Sequence, residues 1–459
     1  MQKIKIGLLL FYLKLYDEVI PELRNDLLPF IGKIKENLEK EGTEVTVSKI
    51  CRLEDEFNDA VKDFESMEVD VIVTLHLSYS PSLECIKALK STRIPIVVFD
   101  TTLKNNFSKK LVPNDIMANH GLHRVMDMCN VLLRNGKNYL ITAGYYEDRQ
   151  TKNDLYKNIY AAKLYRKFTT SRVGSLGGPF HGMGDFYVEK NELQKDFGIF
   201  TLETAFKDIS KLMPDASSEL IYRENETDKN NYRIIFNDEE IHKNSNRIGL
   251  AVRKWINENS LDAFTMNFSV ISANSGFPTI PFLEASKSMA RGIGYAGEGD
   301  ILTAALTGSL MSIFDEVTFI EMFCPDWKEN LIFLSHMGEV NLNLLSKKPV
   351  LIKKELPFIQ VGTPSFAVGQ LKGGDAVLIN LSPSREGYSL ILSNVEMIEM
   401  ENQLEESVSG WLKPELPISD FLSFYSEYGG SHHSALVYGA DIEILEKFAN
   451  LAKFELINI

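Results

Sequence analysis

Two glutamates and three histidines in the second half of the chain have the types and settings for proton transfer beside a cation. Glu298 lies in Gly-Tyr-Ala-Gly-Glu-Gly-Asp and Glu321 in Thr-Phe-Ile-Glu-Met-Phe. His336 lies in Leu-Ser-His-Met-Gly-Glu, and His432 and His433 in Gly-Gly-Ser-His-His-Ser. Two carboxylates with two imidazoles can surround one divalent cation. A mixed oxygen and nitrogen set suits Mn²⁺, with Mg²⁺, Co²⁺ or Zn²⁺ as alternatives. It suits an all-oxygen calcium cage less well. Such a cation can polarise a sugar carbonyl while a proton moves between neighbouring carbons.

Singly, each residue has an ordinary explanation. Glu298 between glycines reads as a solvated loop acid and His336 as a satisfied core histidine. Adjacent histidines occur by chance on surfaces, but His432 and His433 after Gly429-Gly430 are the strongest single feature, able to present one ring to a metal and the other to a substrate. Glu321 is more telling than Glu298. Strand alternation puts it on one face with Phe319 and Phe323, opposite Ile320 and Met322. A carboxylate sharing a face with two phenylalanines is costly unless paired or metal-bound. The combination is more specific still. The chain has eight histidines; three are in these motifs, and His120 and His123 fall together in Met-Ala-Asn-His-Gly-Leu-His.

The elements that must position these groups read as α/β. Strand-like runs at Lys3–Leu10, Val69–Leu77, Ile94–Phe99 and Tyr139–Ala143 alternate with helical patterns at Glu18–Lys40, Ser82–Leu89 and Ala118–Leu133. This rhythm predicts a parallel sheet covered on both faces. No Gly-x-Gly-x-x-Gly follows the first strand, so a dinucleotide site is unsupported. Asp154–Lys167 continues the helical pattern, and the glycine-rich stretch 174–186 reads as irregular loop. Thr201–Leu212, Asp238–Asn257 and Phe282–Gly292 read as helices, Ala263–Val270 as a strand, and Asn225–Asn231 as an exposed loop. From Val317 onward short strands dominate, with few helix signals before Ile442–Leu451, which predicts a β-rich sandwich or barrel. The expected domains are 1–150, 151–316 and 317–459.

Composition narrows the partners. A net charge of −14, without a long basic run, argues against nucleic acid. With 44% hydrophobic and 24% charged residues, 459 residues can bury large cores. No stretch is apolar enough to span a bilayer. The opening Met-Gln-Lys-Ile-Lys-Ile-Gly-Leu-Leu-Leu-Phe reads as a first buried strand, not a signal peptide. Cys51, Cys85, Cys129 and Cys324 have no Cys-x-x-Cys spacing and read as buried, reduced thiols of a cytoplasmic protein.

The motifs resemble the L-arabinose isomerase and L-fucose isomerase superfamily, closest to its arabinose isomerase branch. The similar segments are Ala-Gly-Glu-Gly-Asp at 296–300, the Glu321 strand, His-Met-Gly-Glu at 336–339, Gly-Gly-Ser-His-His at 429–433, Gly-Met-Gly-Asp-Phe at 182–186 and the helix near His123. The resemblance implies two flavodoxin-like α/β domains followed by a β-barrel-like domain, Mn²⁺, and a homotrimer or homohexamer. It implies aldose–ketose isomerisation of a pentose, hexose or deoxy-sugar through a cis-enediol. Glu298 and Glu321 would be catalytic, and Glu298, Glu321, His336 and His433 would hold the metal. His432, Glu339, Met183 and Phe268 would contact the sugar, and His123 would reach a neighbouring subunit's site. The family has a Phe-Glu-Asp triplet where this chain reads Phe268-Ser269-Val270. Losing two acids from a sugar pocket changes which sugar fits, so L-arabinose is a doubtful substrate. The rival functions are a non-catalytic sugar binder on the same scaffold and a metal-dependent hydrolase or lyase.

Overall fold

A computed structural model describes residues 3–459 apart from 40–41, 107–115, 118, 358 and 401–405. It forms two compact units, Met1–Lys167 with Glu443–Lys453 and Phe168–Ile442 with Phe454–Ile459. In the first unit, strands β1 (Ile4–Phe11), β2 (Thr43–Cys51), β3 (Val71–His76), β4 (Ile96–Asp100) and β5 (Leu140–Ala143) lie in the order β2-β1-β3-β4-β5. Every pairing is parallel. This is the flavodoxin-like winding. β3 is buried at all six positions, as a strand covered on both faces must be.

Three expectations for this unit need correction. The helix expected over 18–40 is two helices, Lys14–Val19 and Leu23–Glu39. Pro21 cannot donate a backbone N–H and pushes Ile20 out of helical geometry, to ψ 64°. Between that helix and β3 the chain forms β2 and the helix Glu54–Ser66, neither of which was expected. The helix expected from Ala118, a position outside the described residues, runs Leu122–Arg134.

The second unit starts with β6 (Arg172–Leu176), β7 (Phe200–Thr204), β8 (Arg233–Ile234), β9 (Ala263–Met266) and β10 (Gly294–Gly297). Four of these form a parallel sheet in the order β10-β9-β6-β7. After β6 the chain goes to one side for β7, then to the other for β9 and β10. Such a reversal leaves a crevice beyond the carboxyl ends of β6 and β9, the usual place for a ligand in a doubly wound sheet.

Local sequence again explains the departures. The glycine-rich stretch is not all loop, because Gly174, Ser175 and Leu176 complete β6. Trp255 and Leu261 stand where a Cβ at Gly174 would be, with the indole 2.1 Å away, so glycine there serves helix-to-sheet packing. The helix expected over 201–212 is β7 followed by the short helix Phe206–Ser210. Asn225–Asn231 is no exposed loop. It ends the helix Glu219–Asn231, whose Asp228 is fully buried and pairs with His242 and Lys287. β9 stops at Met266 because Asn267 Oδ1 accepts from the Ser269 backbone N–H and hydroxyl, turning Phe268–Val270 into a 3₁₀ turn.

The remaining strands are β11 (Val317–Asp326), β12 (Leu331–Ser335), β13 (Val350–Lys353), β14 (Ser365–Gln370), β15 (Gly374–Ser384), β16 (Gly387–Ile398), β17 (Val408–Pro414), β18 (His433–Tyr438) and β19 (Glu455–Asn458). Six of them, in the order β16-β15-β18-β11-β12-β17, close into a barrel because β17 also pairs with β16. Closure removes exposed strand edges. Ile320, Leu334, Leu378, Ile391, Leu412 and Leu436 are among the apolar residues of its core. A helix at Ile418–Glu427, unexpected from the sequence, leads into β18. Cys51, Cys85 and Cys129 are buried free thiols, but Cys324 is exposed. It follows an irregularity in β11 between Met322 and Cys324, past which the strand leaves the core. Among the described residues no helix is long and apolar enough to cross a membrane.

Candidate metal and proton-transfer site

Glu298 is the first residue beyond β10, at the carboxyl edge of the parallel sheet. Its backbone is left-handed, φ 63°, and Gly299 follows at φ 90°. A non-glycine residue persists there only where its surroundings over-determine it. The Glu298 N–H donates to Met266 O at 3.1 Å, its carbonyl accepts from Phe180 N–H at 2.8 Å, and Gly299 N–H donates to Thr265 Oγ1 at 3.0 Å. A Cβ on Gly299 would lie 2.3 Å from Gly178 O and 2.4 Å from Pro179 Cα. The glycines beside Glu298 therefore fix its place.

The barrel supplies the other groups. In register, Glu321 on β11 faces His433 on β18 and Ser335 on β12, and His336 follows Ser335. Directly paired residues have Cβ atoms about 5 Å apart, so register brings Glu321 beside His433, and His336, the residue just past β12, supplies the second imidazole. His336 Nε2 is 2.9 Å and His433 Nε2 3.2 Å from Glu321 Oε1, and His433 Nε2 is 3.6 Å from Glu298 Oε2. Phe319 shares the face of Glu321, as alternation predicts, and sets its ring edge against both His336 and His433. Phe323 is 47% exposed, because it sits at the strand irregularity.

Each imidazole is backed by a carboxylate. Asp300 is fully buried; its Oδ1 caps the helix Ile301–Leu310 by accepting from Thr303 N–H at 2.8 Å, and its Oδ2 pairs with His433 Nδ1 at 3.0 Å. Glu339 is fully buried, bonding His336 Nδ1 through one oxygen and the Tyr295 hydroxyl, at 2.7 Å, through the other. Groups in these positions fix ring orientation and tautomer and leave the far nitrogen facing the centre. Burial works against charge on Glu321, but His336 and His433 overcome it and hold the carboxyl far below its ordinary range. Burial likewise opposes a charged His336, yet Glu339 and Glu321 raise its pKa well above the ordinary value; Asp300 and Glu321 raise that of His433 against the same penalty. The surroundings thus favour positive charge at this point. Glu321 Oε1 and His433 Nε2 are nonetheless buried without a hydrogen-bond partner, since their close contacts lack hydrogen-bonding direction. A facing carboxylate oxygen and imidazole nitrogen, both otherwise unsatisfied, fit a divalent cation of the Mn²⁺ class.

The loop after β6 closes one side. Phe180 is bonded to Glu298 O, Asn267 Nδ2 donates to Pro179 O at 3.0 Å, and Phe186 stacks on His433 at 4.8 Å between ring centres. Asp185 Oδ2 accepts from the His432 backbone N–H at 2.9 Å and pairs with its Nδ1 at 2.6 Å. His432 Nε2 is then 3.4 Å from Glu298 Oε2. Burial raises the Asp185 pKa, but its bonds to His432 outweigh that and bring it down to about 2. Burial lowers that of His432, but Asp185 and Glu298 lift it to about 10. Glu298, His432 and His433 also offer ligand atoms within 4.8 Å of one another.

The structure therefore brings Glu298, Glu321, His336, His432 and His433 together. Glu339, expected to touch substrate, is enclosed behind His336 with both oxygens engaged. Met183 lies, 37% exposed, in the loop that bears Asp185, and Phe268 is buried against Phe180 and Phe282. His123 is in the other compact unit, where it pairs with His120 at 2.9 Å. Asp185, Asp300 and Tyr295 were not anticipated. Asp300 carries a sequence signal, a helix N-cap before Ile-Leu-Thr-Ala-Ala-Leu; Asp185 lies in the similar segment Gly-Met-Gly-Asp-Phe, between Gly184 and Phe186.

Residues 187–315 match the L-arabinose isomerase central domain and residues 316–455 the L-arabinose isomerase C-terminal domain. Similar curated proteins include an L-arabinose isomerase of Pediococcus pentosaceus, 23% identical with 96% of each chain covered, and one of Leuconostoc mesenteroides, 25% identical with 95% of this chain and 94% of the relative covered. L-arabinose isomerase 1 of Clostridium acetobutylicum is 24% identical over 88% of this chain and 85% of its own. Two consecutive domain matches span more than half of the residues and the full-length relatives extend the likeness, so the chain belongs to the L-arabinose isomerase family as an arabinose isomerase-like protein.

Proposed function

We propose that this protein is an aldose–ketose isomerase acting through a cis-enediol. Glu298, Glu321, His336 and His433 would hold a divalent cation, Mn²⁺ in first place and Mg²⁺ or Co²⁺ next. The carrying observation is two carboxylates from different sheets meeting two carboxylate-backed imidazoles at the carboxyl edge of a parallel sheet. Relatives named L-arabinose isomerase support sugar isomerisation. When bound, the cation supplies Lewis-acid polarisation of the sugar oxygens. The chain's own groups move the protons. One of Glu298 and Glu321 takes the C2 proton and returns it at C1; the other carries the hydroxyl proton between O2 and O1. The two titrate as a coupled pair, so the roles belong to the pair. His432 presents Nε2 to the sugar.

The substrate is a pentose, hexose or deoxy-sugar, with L-arabinose doubtful. At the turn where the family has two acids, Ser269 directs its hydroxyl to Asn267 and Val270 is 50% exposed. We further propose a homotrimer or homohexamer in which His123 serves a neighbouring subunit's site.

Deuterium wash-in tests the reaction. In D₂O with Mn²⁺, the protein is expected to place solvent deuterium at C2 of at least one sugar in a panel of pentoses, hexoses and deoxy-sugars. A binder leaves C2 untouched, and a hydrolase or lyase releases a fragment. No exchange and no ketose across the panel would refute the isomerase reading.

The cation reading has a pH signature. In the ion-free protein His336 and His433 hold protons above their ordinary pKa, so metal must displace them. Their raised folded pKa stabilises the ion-free fold fully below about pH 6.5, and that stability is lost as pH rises through the folded values. Mn²⁺ affinity is therefore expected to strengthen from about pH 6 upward, by roughly tenfold per unit for each proton displaced. Isothermal titration at several pH values reads this directly; an affinity that is flat or falls with pH contradicts it.

A further inference from the structure

Pentoses and hexoses in water are mostly rings, whereas proton transfer between C1 and C2 needs the open chain. Opening a cyclic hemiacetal requires a proton at the ring oxygen and removal of the proton on the anomeric hydroxyl. Glu298 and Glu321 are engaged by the later transfer, so a separate proton donor is needed.

We propose, building on the isomerase reading, that His432 is the ring-opening acid and that Asp185 is its positioning residue. Asp185 Oδ2 takes both the backbone N–H and the Nδ1 of His432, so the ring can neither rotate away nor change which nitrogen faces the site. Its Nε2 is left 3.4 Å from Glu298 Oε2, and the His432 side chain keeps 37% exposure while His433 and His336 are enclosed at 0% and 4%. Of the site's three carboxylate-backed imidazoles, His432 is thus the one open to a ligand. Its loop is pinned independently at Phe180 and by Phe186 on His433, so Asp185 is held in place without His432.

The step balances. The bond from the anomeric carbon to the ring oxygen breaks, and its electron pair stays on that oxygen, which takes the proton from His432 Nε2. The anomeric hydroxyl gives its proton to Glu298 Oε2 as its oxygen forms the carbonyl. One proton leaves the imidazolium and one arrives on the carboxylate, and the 3.4 Å His432–Glu298 contact lets it return.

The test compares a ring-forming sugar with an aldose too short to close a five- or six-membered ring. The pentoses and hexoses of the panel are the cyclic probes, L-glyceraldehyde the acyclic one, each followed by deuterium wash-in with Mn²⁺ present. D185N is expected to lower the ratio of cyclic to acyclic rates about 10–100-fold, as removal of a residue that orients another's side chain does. H432Q should lower the ratio by at least about 100-fold. If both variants slow all probes equally, or leave the ratio unchanged, the pair does not open the ring and the proposal is overturned. If the wild-type protein exchanges deuterium into the acyclic probe alone, ring opening has no place in its reaction and the proposal is likewise overturned, with the isomerase reading intact. If it exchanges into no sugar of the panel and not into the acyclic probe, the isomerase reading fails first and this proposal with it.

Discussion

Glu321→Gln is expected to abolish turnover while leaving the protein folded. Glu321 is the hub of the site, among the described residues the one carboxylate in contact with both His336 and His433. The amide keeps the shape of the side chain, so the barrel around Phe319 and Ile320 keeps its packing. What is lost is the negative charge that holds the two rings and any cation, together with one member of the proton-carrying pair. Loss of one acid–base group costs about 10²–10⁴-fold in rate, and weakened cation binding adds to it. Steady-state rates and Mn²⁺ titration, with circular dichroism as the folding control, decide the matter. A variant within a few-fold of wild-type turnover would remove Glu321 from the mechanism.

Gly299→Ala is expected to damage both stability and activity, although it adds one methyl group and removes no reactive atom. At φ 90° an L-residue is strained, which costs about 1–2 kcal/mol. The new Cβ also meets backbone, Gly178 O at 2.3 Å and Pro179 Cα at 2.4 Å, and backbone cannot swing aside as a side-chain tip can. Overpacking of this kind adds about 1–3 kcal/mol. The strand end and the 177–187 loop must separate, and both neighbours of the contact carry the site: Glu298 on one side, Asp185 on the other. We expect the melting temperature to fall by several degrees and the rate by an order of magnitude or more at temperatures where the variant is folded. An unchanged melting curve with unchanged rate would show that this contact does not position Glu298.

How much of this was legible in the sequence depends on the range of each interaction. The α/β rhythm followed by short strands carries the fold class, because burial on both faces of a sheet writes apolar runs such as Val71–His76 locally. The shared face of Phe319 and Glu321 is legible for the same reason, since it needs only period-2 alternation. β2 was overlooked although Thr43-Glu44-Val45-Thr46-Val47 alternates; an edge strand lacks the dense apolar run that makes a central strand conspicuous. The end of β9 depended on one side chain, Asn267, folding back on the next turn. Helical polarity misled at Asn225–Asn231, because Asp228 is charged yet buried, with Lys287 and His242 supplied by distant segments.

The candidate site divides in the same way. The glutamates and histidines are visible as motifs, but their convergence is a matter of register: Glu321 and His433 meet because β11 and β18 pair at those residues. Asp185 and His432 are 247 positions apart, and nothing in either motif announces the other. The left-handed backbone of Glu298 is equally silent, since glutamate does not advertise that conformation as glycine would.

The origin of the four central groups has a thermodynamic consequence. Glu298 hangs from the end of a parallel sheet, while Glu321, His336 and His433 ride on an antiparallel barrel. Each of those layers has its own strand pairings, and neither alone can present a complete set of donors. Any guest seated among all four would act as a rivet between them, and its free energy, about 2.7 kcal/mol at a hundredfold excess over its dissociation constant, would go to keeping the two layers joined. Assembly of the second unit and readiness for chemistry would then be the same event.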